Sequence, residues 1–523
     1  MNALALKLLL LTEVRLRMRR TGTLVAVLAL IVLTWLMVGD PAGSQVMLVA
    51  DNARVAYTST SLALGSAGLG GLFFGLAGFY LARGRMSEDV RSGAGSVLAA
   101  TPVSSVVFLL GRWLGSVAYL CGLLVIFMLT MLVLHMVRGE GPIQLLVYGQ
   151  MFALVMLPLV FFTAAMALLC DAWAPLMGKR GDVLYFLLYL TQMALPIAVS
   201  AEGRYGWTPL LLLDFSGLGA TVLMIRETIH SSSFALGGGS FDATLPPVYL
   251  PTWLWSAQLV FTRLGCALLA MLPLLPAFWL FHRFSPDRVK VRAAGGGWSP
   301  LALANRMLRP LTRLVRPLFA LASRVPGLAG QALAVLALTL MSNPAAILAA
   351  LVLLIVGSFV PALALGGVTI AAIAIWGILA SDISVRDHQH DVAAMSGAAP
   401  GGSGRRYGAQ LLASCLLALL FAAPVLVRWS MAEPLRAAAL LTGVVTLAGT
   451  ASILGSLSGT ARAFLALFLF GLYVATQAAK VPALDVVGFN GVASVQTVSV
   501  QLLLGVLLTI GGLGYQRWRR ARD

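Results

Sequence analysis

The chain has 523 residues, 59% of them hydrophobic and only 11% charged, with a mean hydropathy of +0.92. A water-soluble domain carries roughly 25% charged residues, so this chain has too little polar surface to coat a soluble particle and reads as a multispanning membrane protein. Its net charge of +17 would suggest nucleic acid in a soluble protein, but here the placement of the charge decides. The four cysteines, Cys121, Cys170, Cys266 and Cys415, sit in apolar runs without paired or zinc-type spacing and read as small hydrophobes.

Residues 1–21 form an amphipathic run ahead of the first apolar segment. That segment follows Arg15, Arg17, Arg19 and Arg20 and has no small-residue cleavage site, so it is expected to stay as the first span. A bilayer core of ~30 Å takes about 20 residues of helix, and twelve runs approach that length. In the first half they are 22–39, 58–82, 105–135, 146–170, 183–201 and 255–282. In the second they are 342–358, 362–380, 409–428, 433–457, 461–477 and 498–514. Without polar alternation these runs are helices, and the fold class is an all-α integral membrane protein. Trp207, Trp253, Trp255, Tyr205 and Tyr249 mark the long 202–252 segment before the sixth span. Such aromatics serve as interfacial anchors or as parts of an outer lid.

An even number of spans puts both termini on one side. With the termini inside, 28 of the 36 Lys and Arg residues fall on the cytoplasmic face and eight on the other, together with ten cytoplasmic acids. That is a strong positive-inside signal; it accounts for the basic charge through the anionic inner leaflet and without nucleic acid. The linker 283–330 carries Gly295-Gly296-Gly297 and then Arg306, Arg309, Arg313 and Arg316 among Leu308, Leu311, Leu314 and Leu318. The spacing of three and four predicts a basic amphipathic helix on the membrane surface, the plainer alternative being a solvated tether.

The two halves resemble each other. A shift of 298 residues places Leu81 on Leu379, Ala82 on Ala380, Asp89 on Asp387, Ala100 on Ala398, Pro102 on Pro400, Leu114 on Leu412 and Ser116 on Ser414 without a gap. Between the fifth and sixth spans of each half, Asp214-x-x-Gly217 is matched by Asp485-x-x-Gly488. Residues 329–341 stand before the seventh span as 1–21 stand before the first, but without charges. The expected domains are therefore two parallel six-span repeats, 1–282 and 331–523, each led by an interfacial helix and joined by the linker.

Three features together are similar to the transmembrane permease of a type-2 ABC exporter (the ABC-2 group). They are the surface helix at 8–20, the loop from Arg85-Met86-Ser87-Glu88-Asp89 to Thr101-Pro102-Val103-Ser104, and the Asp-x-x-Gly before span six. The likeness covers the first half. In the second, Ala399-Pro400 replaces Thr-Pro and Gly401-Gly402-Ser403-Gly404 intrudes. Such permeases have six spans and act in pairs, so the resemblance implies two halves fused in one chain. It also implies that 85–101 and 383–399 are coupling elements docking on two copies of a cytoplasmic ABC ATPase, with Glu88, Asp89, Arg91, Pro102, Asp387, His388, Asp391 and Pro400 as docking residues. It implies a bacterial inner membrane location and an unknown exported substrate. Glu88, Asp89, Asp387 and Asp391 are acids on the basic face; solvated loop charge is their plainer reading.

The chain itself lacks a Walker A motif. At Gly178-Lys179-Arg180, Trp173 stands where the first glycine belongs and Arg180 replaces Ser/Thr, so ATP and Mg are expected in a partner chain. No intramembrane relay of ionisable groups is evident; Arg263 is the exception, a few turns into span six or at its outer edge. Asp387-His388-Gln389-His390-Asp391 suggests a metal, a pH sensor or a polar docking loop, but histidines at i and i+2 do not share a helix face. No metal site and no enzyme active site is expected. A secondary transporter of the major facilitator type shares the twelve-span, two-half topology and is the rival; a non-transporting scaffold would leave the matched loops unexplained.

Overall fold

The computed structural model describes residues 2–41, 45–201, 207–229, 234–281, 307–389, 392, 395, 402–477 and 481–520. The chain divides into two units, Met1–Ala293 and Ala294–Asp523. Eight described helices are long and apolar enough to cross a membrane, and up to ten if each of two bent pairs is one span. Each of the twelve apolar runs falls on a helix. Four runs fall outside the eight: Thr21–Met37, Pro344–Phe359 and Ala461–Gln477 have only 17, 16 and 17 residues, about 25 Å of rise, and Lys179–Ala201 is not among the qualifying helices. Thr21–Met37 and Pro344–Phe359 each follow another helix across a sharp bend, 70° in the first unit and 100° in the second.

In the first unit α1 (Asn2–Met18) bends into α2 (Thr21–Met37), and α3 (Ser59–Ala82) forms the buried centre. A short connection, α4 (Arg85–Arg91) and α5 (Ala94–Ala100), leads to α6 (Ser105–Arg138). Then come α7 (Leu145–Met151), a π turn (Phe152–Met156), α8 (Leu157–Ala172), α9 (Lys179–Ala201), α10 (Leu218–Ile229), α11 (Ala257–Leu269) and α12 (Leu274–Leu280). Small residues let α3 sit in the middle: a Cβ on Gly71 would lie 2.7 Å from the carbonyl oxygen of Ser216.

The all-α expectation needs one correction. Strands β1 (Gln45–Ala50), β2 (Ala53–Arg54) and β3 (Phe234–Ser240) form an antiparallel sheet in the order β2-β1-β3. Asp51 and Asn52 turn the β1–β2 hairpin with φ of 44° and 66°, the left-handed region that short polar residues tolerate. The sheet brings the 40–57 loop and the 202–252 segment together at the end of the unit where α3 begins. Val46–Ala50 of β1 are a continuous buried run, with Met47 packed at Gly65 of α3, and so carry no strand alternation to read in the sequence.

The second unit opens with a 3₁₀ turn (Arg309–Val315) and α13 (Arg316–Arg324), which packs on α14 (Gly327–Ser342). After the bend come α15 (Pro344–Phe359), α16 (Leu365–Ile383), a turn α17 (Arg386–Gln389), α18 (Gly402–Ala432), α19 (Pro434–Ser458), α20 (Ala461–Gln477) and α21 (Val495–Arg520). Side chains join the spans where the backbone permits: Trp376 donates to the Ser414 carbonyl at 2.8 Å, and Thr446 to the Gln501 carbonyl at 2.7 Å.

Candidate functional site

The end of the first unit opposite the sheet is built where helices stop. Gly84, with φ of 96°, ends α3, and Gly93, with φ of 74°, separates α4 from α5. Both are left-handed positions that glycine takes without strain. The exposed Pro102 and the Ser104 cap, which accepts from the Val107 amide at 3.3 Å, start α6.

Five guanidiniums and five carboxylates meet there. Glu13 of α1 pairs with Arg112 of α6 at 3.1 Å, Arg85 of α4 at 3.4 Å and Arg17, one turn along α1, at 3.5 Å. Asp89 pairs with Arg112 and lies 3.9 Å from Arg85. Arg83 pairs with Asp182 of α9, lies 3.5 Å from Asp171 of α8, and donates to the Leu176 and Gly178 carbonyls. Asp171 also accepts from the Gly84 amide at 2.8 Å, so it fixes the turn itself. At the rim Glu88 bridges Arg20 and Arg85. Arg17 donates to the Leu81 carbonyl at 2.8 Å and to Ser116 at 3.0 Å. Six helices thus converge on a cluster whose formal charge sums to zero. Inside a low-dielectric end, removal of a buried member takes compensation away from the charges it contacts.

The expected docking residues therefore divide. Asp89 is 6% exposed and turned inward, while Glu88 is half-exposed and already bridged. The connection shows outward Ser96, Val97, Ala100 and Pro102. In the second unit Asp387 is 8% exposed, held by Arg406 in two contacts and by Gln410 at 3.4 Å. Beside it, Arg386 donates to Thr339 of α14 at 3.0 Å. Asp391 and Pro400 lie outside the described residues, as do the side chains of Arg91 and His388. Sequence reasoning did not single out Glu13, Arg17, Arg83, Asp171 and Asp182. The signal for them was present in the Glu13–Arg17 spacing of four in a helix and in acids at the ends of apolar runs.

The Asp-x-x-Gly segments take one conformation twice. Each follows a 3₁₀ turn, Pro209–Leu213 or Pro482–Leu484. Asp214 and Asp485 are wholly buried, and Gly217 and Gly488 have φ of 76° and 74°. The Asp214 carboxylate accepts from the amides of Gly217 at 3.0 Å and Ala220 at 2.9 Å. That of Asp485 accepts from Asn490 at 3.0 Å and Val492 at 3.2 Å. Both aspartates tie the loop that leads away from the fifth helix.

Arg263 lies in the second turn of α11 and is fully buried. Its guanidinium donates to the Leu154 carbonyl at 2.9 Å, the Val155 carbonyl at 2.7 Å and the Asp214 carbonyl, and stands 3.7 Å from the Asp214 carboxylate. Pro158 has no amide to give Leu154, and the π turn shifts the neighbouring ladder. Arg263 therefore satisfies carbonyls that would otherwise face an apolar interior unpaired. In the second unit Arg436, from a different helix, does the corresponding work on the Gly488 carbonyl at 2.9 Å and the Phe489 carbonyl at 3.2 Å.

Among the described residues no group of three or more His, Cys, Asp or Glu side chains could hold a metal ion. No protein-family model matches this chain, and neither a curated protein nor a solved structure is similar enough to match it.

Proposed function

We propose that this chain is the permease of an ATP-driven exporter of the ABC-2 type, with both six-span halves fused and hydrolysis supplied by two copies of a separate ATPase that binds ATP and Mg. One observation carries the reading. In each unit the helix ahead of the first span is bonded to the connection after the second: Glu13 to Arg85 in the first, Thr339 to Arg386 in the second. A push on either connection then reaches a helix bent sharply into a span, and two such joints are what a pair of permease halves requires. Because Asp89 and Asp387 are engaged internally, the ATPase meets the outward residues instead, Ser96, Val97, Ala100 and Pro102 in the first unit. Both termini and these connections face the cytoplasm of a bacterial inner membrane, in keeping with the distribution of Lys and Arg.

A secondary transporter of the major facilitator type is the second reading. The buried Arg263–Asp214 pair favours it, since intramembrane ion pairs serve as proton relays. The experiment is purification of the tagged full chain from its native membrane followed by reconstitution. Under the exporter reading a subunit with a Walker A motif co-purifies and transport requires ATP. Transport driven by a proton gradient, without ATP and without a partner, would establish the rival.

A further inference from the structure

The arginines of the second unit's opening segment differ from those that tie helix ends to acids. Arg17, Arg83, Arg112, Arg263 and Arg406 each meet a carboxylate. Arg309, Arg313, Arg316 and Arg324 are all exposed, and among the described residues none of them pairs with an acid. Residues 288–381 contain eight Lys and Arg and no Asp or Glu, so the segment has no neutralising partner close in sequence. Apolar side chains stand open beside the cations: Met307 is 73% exposed, Leu314 57% and Leu321 47%, while Val315 is buried beneath. The tripeptide Arg-Pro-Leu occurs at 309–311 and again at 316–318, and each proline begins a helical turn with its φ already set. The result is a stiff, short rod rather than a flexible tether. It packs on α14, which bends by 100° into an apolar helix. The rod is thereby held beside the bend from which the apolar helix leaves.

We propose that the 3₁₀ turn Arg309–Val315 and α13 form a binding site for the phosphate headgroups of anionic phospholipids. Arg309, Arg313, Arg316 and Arg324 take the phosphodiester oxygens, and Leu314 and Leu321 enter the acyl boundary. Guanidiniums suit this role because their fork of donors matches two phosphate oxygens at once. The exposed leucines favour a lipid over an acidic protein, since they gain from hydrocarbon and lose in water. The site stands whether transport is driven by ATP or by protons.

The test uses the purified full chain incubated with equal amounts of phosphatidylglycerol and phosphatidylcholine, with retained lipid measured by mass spectrometry after gel filtration. Wild type should retain phosphatidylglycerol in at least about tenfold excess, because each arginine near an anionic surface contributes about fivefold. The variant R309Q/R313Q/R316Q/R324Q should lose about tenfold or more of that retention, and the matching quadruple lysine variant should keep most of it. Should the glutamine variant not fold, wild type alone decides through salt: near 1 M, where the Debye length is about 3 Å, the bound anionic lipid should be released. Equal retention of the two lipids, full retention by the glutamine variant, or retention indifferent to salt would overturn the proposal. Displacement by millimolar inorganic phosphate at constant ionic strength would overturn it in favour of a soluble anion.

Discussion

Asp89 and Asp387 occupy the same register in the two units and live in different surroundings. Asp89 belongs to a set of ten charges, buried except at its Arg20–Glu88 rim, that ties α1, α3, α4, α6, α8 and α9 together. Asp387 has Arg406, whose side chain is 41% exposed, and Gln410. The shift of 298 residues places Gln410 where the first unit has Arg112, and Ser381 where it has Arg83. Arg406 restores the ion pair from one helical turn earlier. The joint has been kept in both units while its stiffness has not. The first unit fixes six helix ends to one another through charge, and the second fixes a single turn to α18 by one ion pair and to α14 by the Arg386–Thr339 hydrogen bond.

Substitutions that remove the first unit's charges, at Arg83 and Arg112 with the second unit's residues, probe that difference. Arg83→Ser has the largest expected effect. It takes the guanidinium from Asp182 and Asp171 and frees two carbonyls, at a cost of about 4–5 kcal/mol, a large share of the roughly 5–15 kcal/mol that holds a domain together. The check is monodispersity and thermal unfolding in detergent; a variant as stable as wild type would mean the cluster is not a structural joint. Asp89→Asn comes next, at about 3 kcal/mol, because Arg112 keeps Glu13 at 3.1 Å. A double-mutant cycle with Arg112→Gln should give a coupling of about 1–3 kcal/mol. Additive losses would show that the two side chains act separately despite their contact.

Much of the fold was legible in the sequence and much of the cluster was not, for one physical reason. Apolar runs declare helices directly, since lipid demands internally bonded backbone, and all twelve runs fell on helices. The register linking Asp89 to Asp387 and the Asp-x-x-Gly pairs was readable because each is a local pattern. β1 was not readable, since a buried run of five apolar residues, Val46–Ala50, next to a helix has no period of its own. Nor was the company of Asp89, for its partner Arg112 is 23 residues away and Glu13, which shares that guanidinium, is further still. Such pairings depend on which helix ends meet in space. Arg263 stood out as an intramembrane charge, but its task depends on Pro158 and the π turn more than a hundred residues earlier.

The loop ends differ, but the opposite ends, with their matching aspartate turns, predict equality. A Cβ on Gly71 of α3 would stand 2.7 Å from the Ser216 carbonyl, and one on Gly366 of α16 would stand 2.6 Å from the Phe489 carbonyl. Backbone cannot yield as a side-chain tip can, so Gly71→Ala and Gly366→Ala should each cost about 2 kcal/mol by overpacking. Thermal unfolding of both variants checks this. A loss confined to one of them would show that only one turn is packed tightly against its span.

The smallest expected effect is also the sharpest test of the asymmetry. Asp387→Asn removes the one carboxylate that Arg406 contacts among the described residues, yet Arg406 is partly in water and can be solvated when released. Screening of that kind reduces an ion pair to about 1 kcal/mol or less, so the variant should unfold close to wild type and well above Asp89→Asn. Gln410→Arg runs the comparison in the other direction. It puts a second guanidinium in reach of Asp387, at the register position of Arg112, but α14 has no carboxylate to play the part of Glu13. The added cation is then shared between one acid and its neighbour Arg406, and stability should change by less than about 0.5 kcal/mol. A gain on the scale of the Asp89–Arg112 pair would mean that the second unit is one substitution away from the first unit's stiffness. The unequal joints would then be a matter of a single side chain rather than of the whole surrounding set.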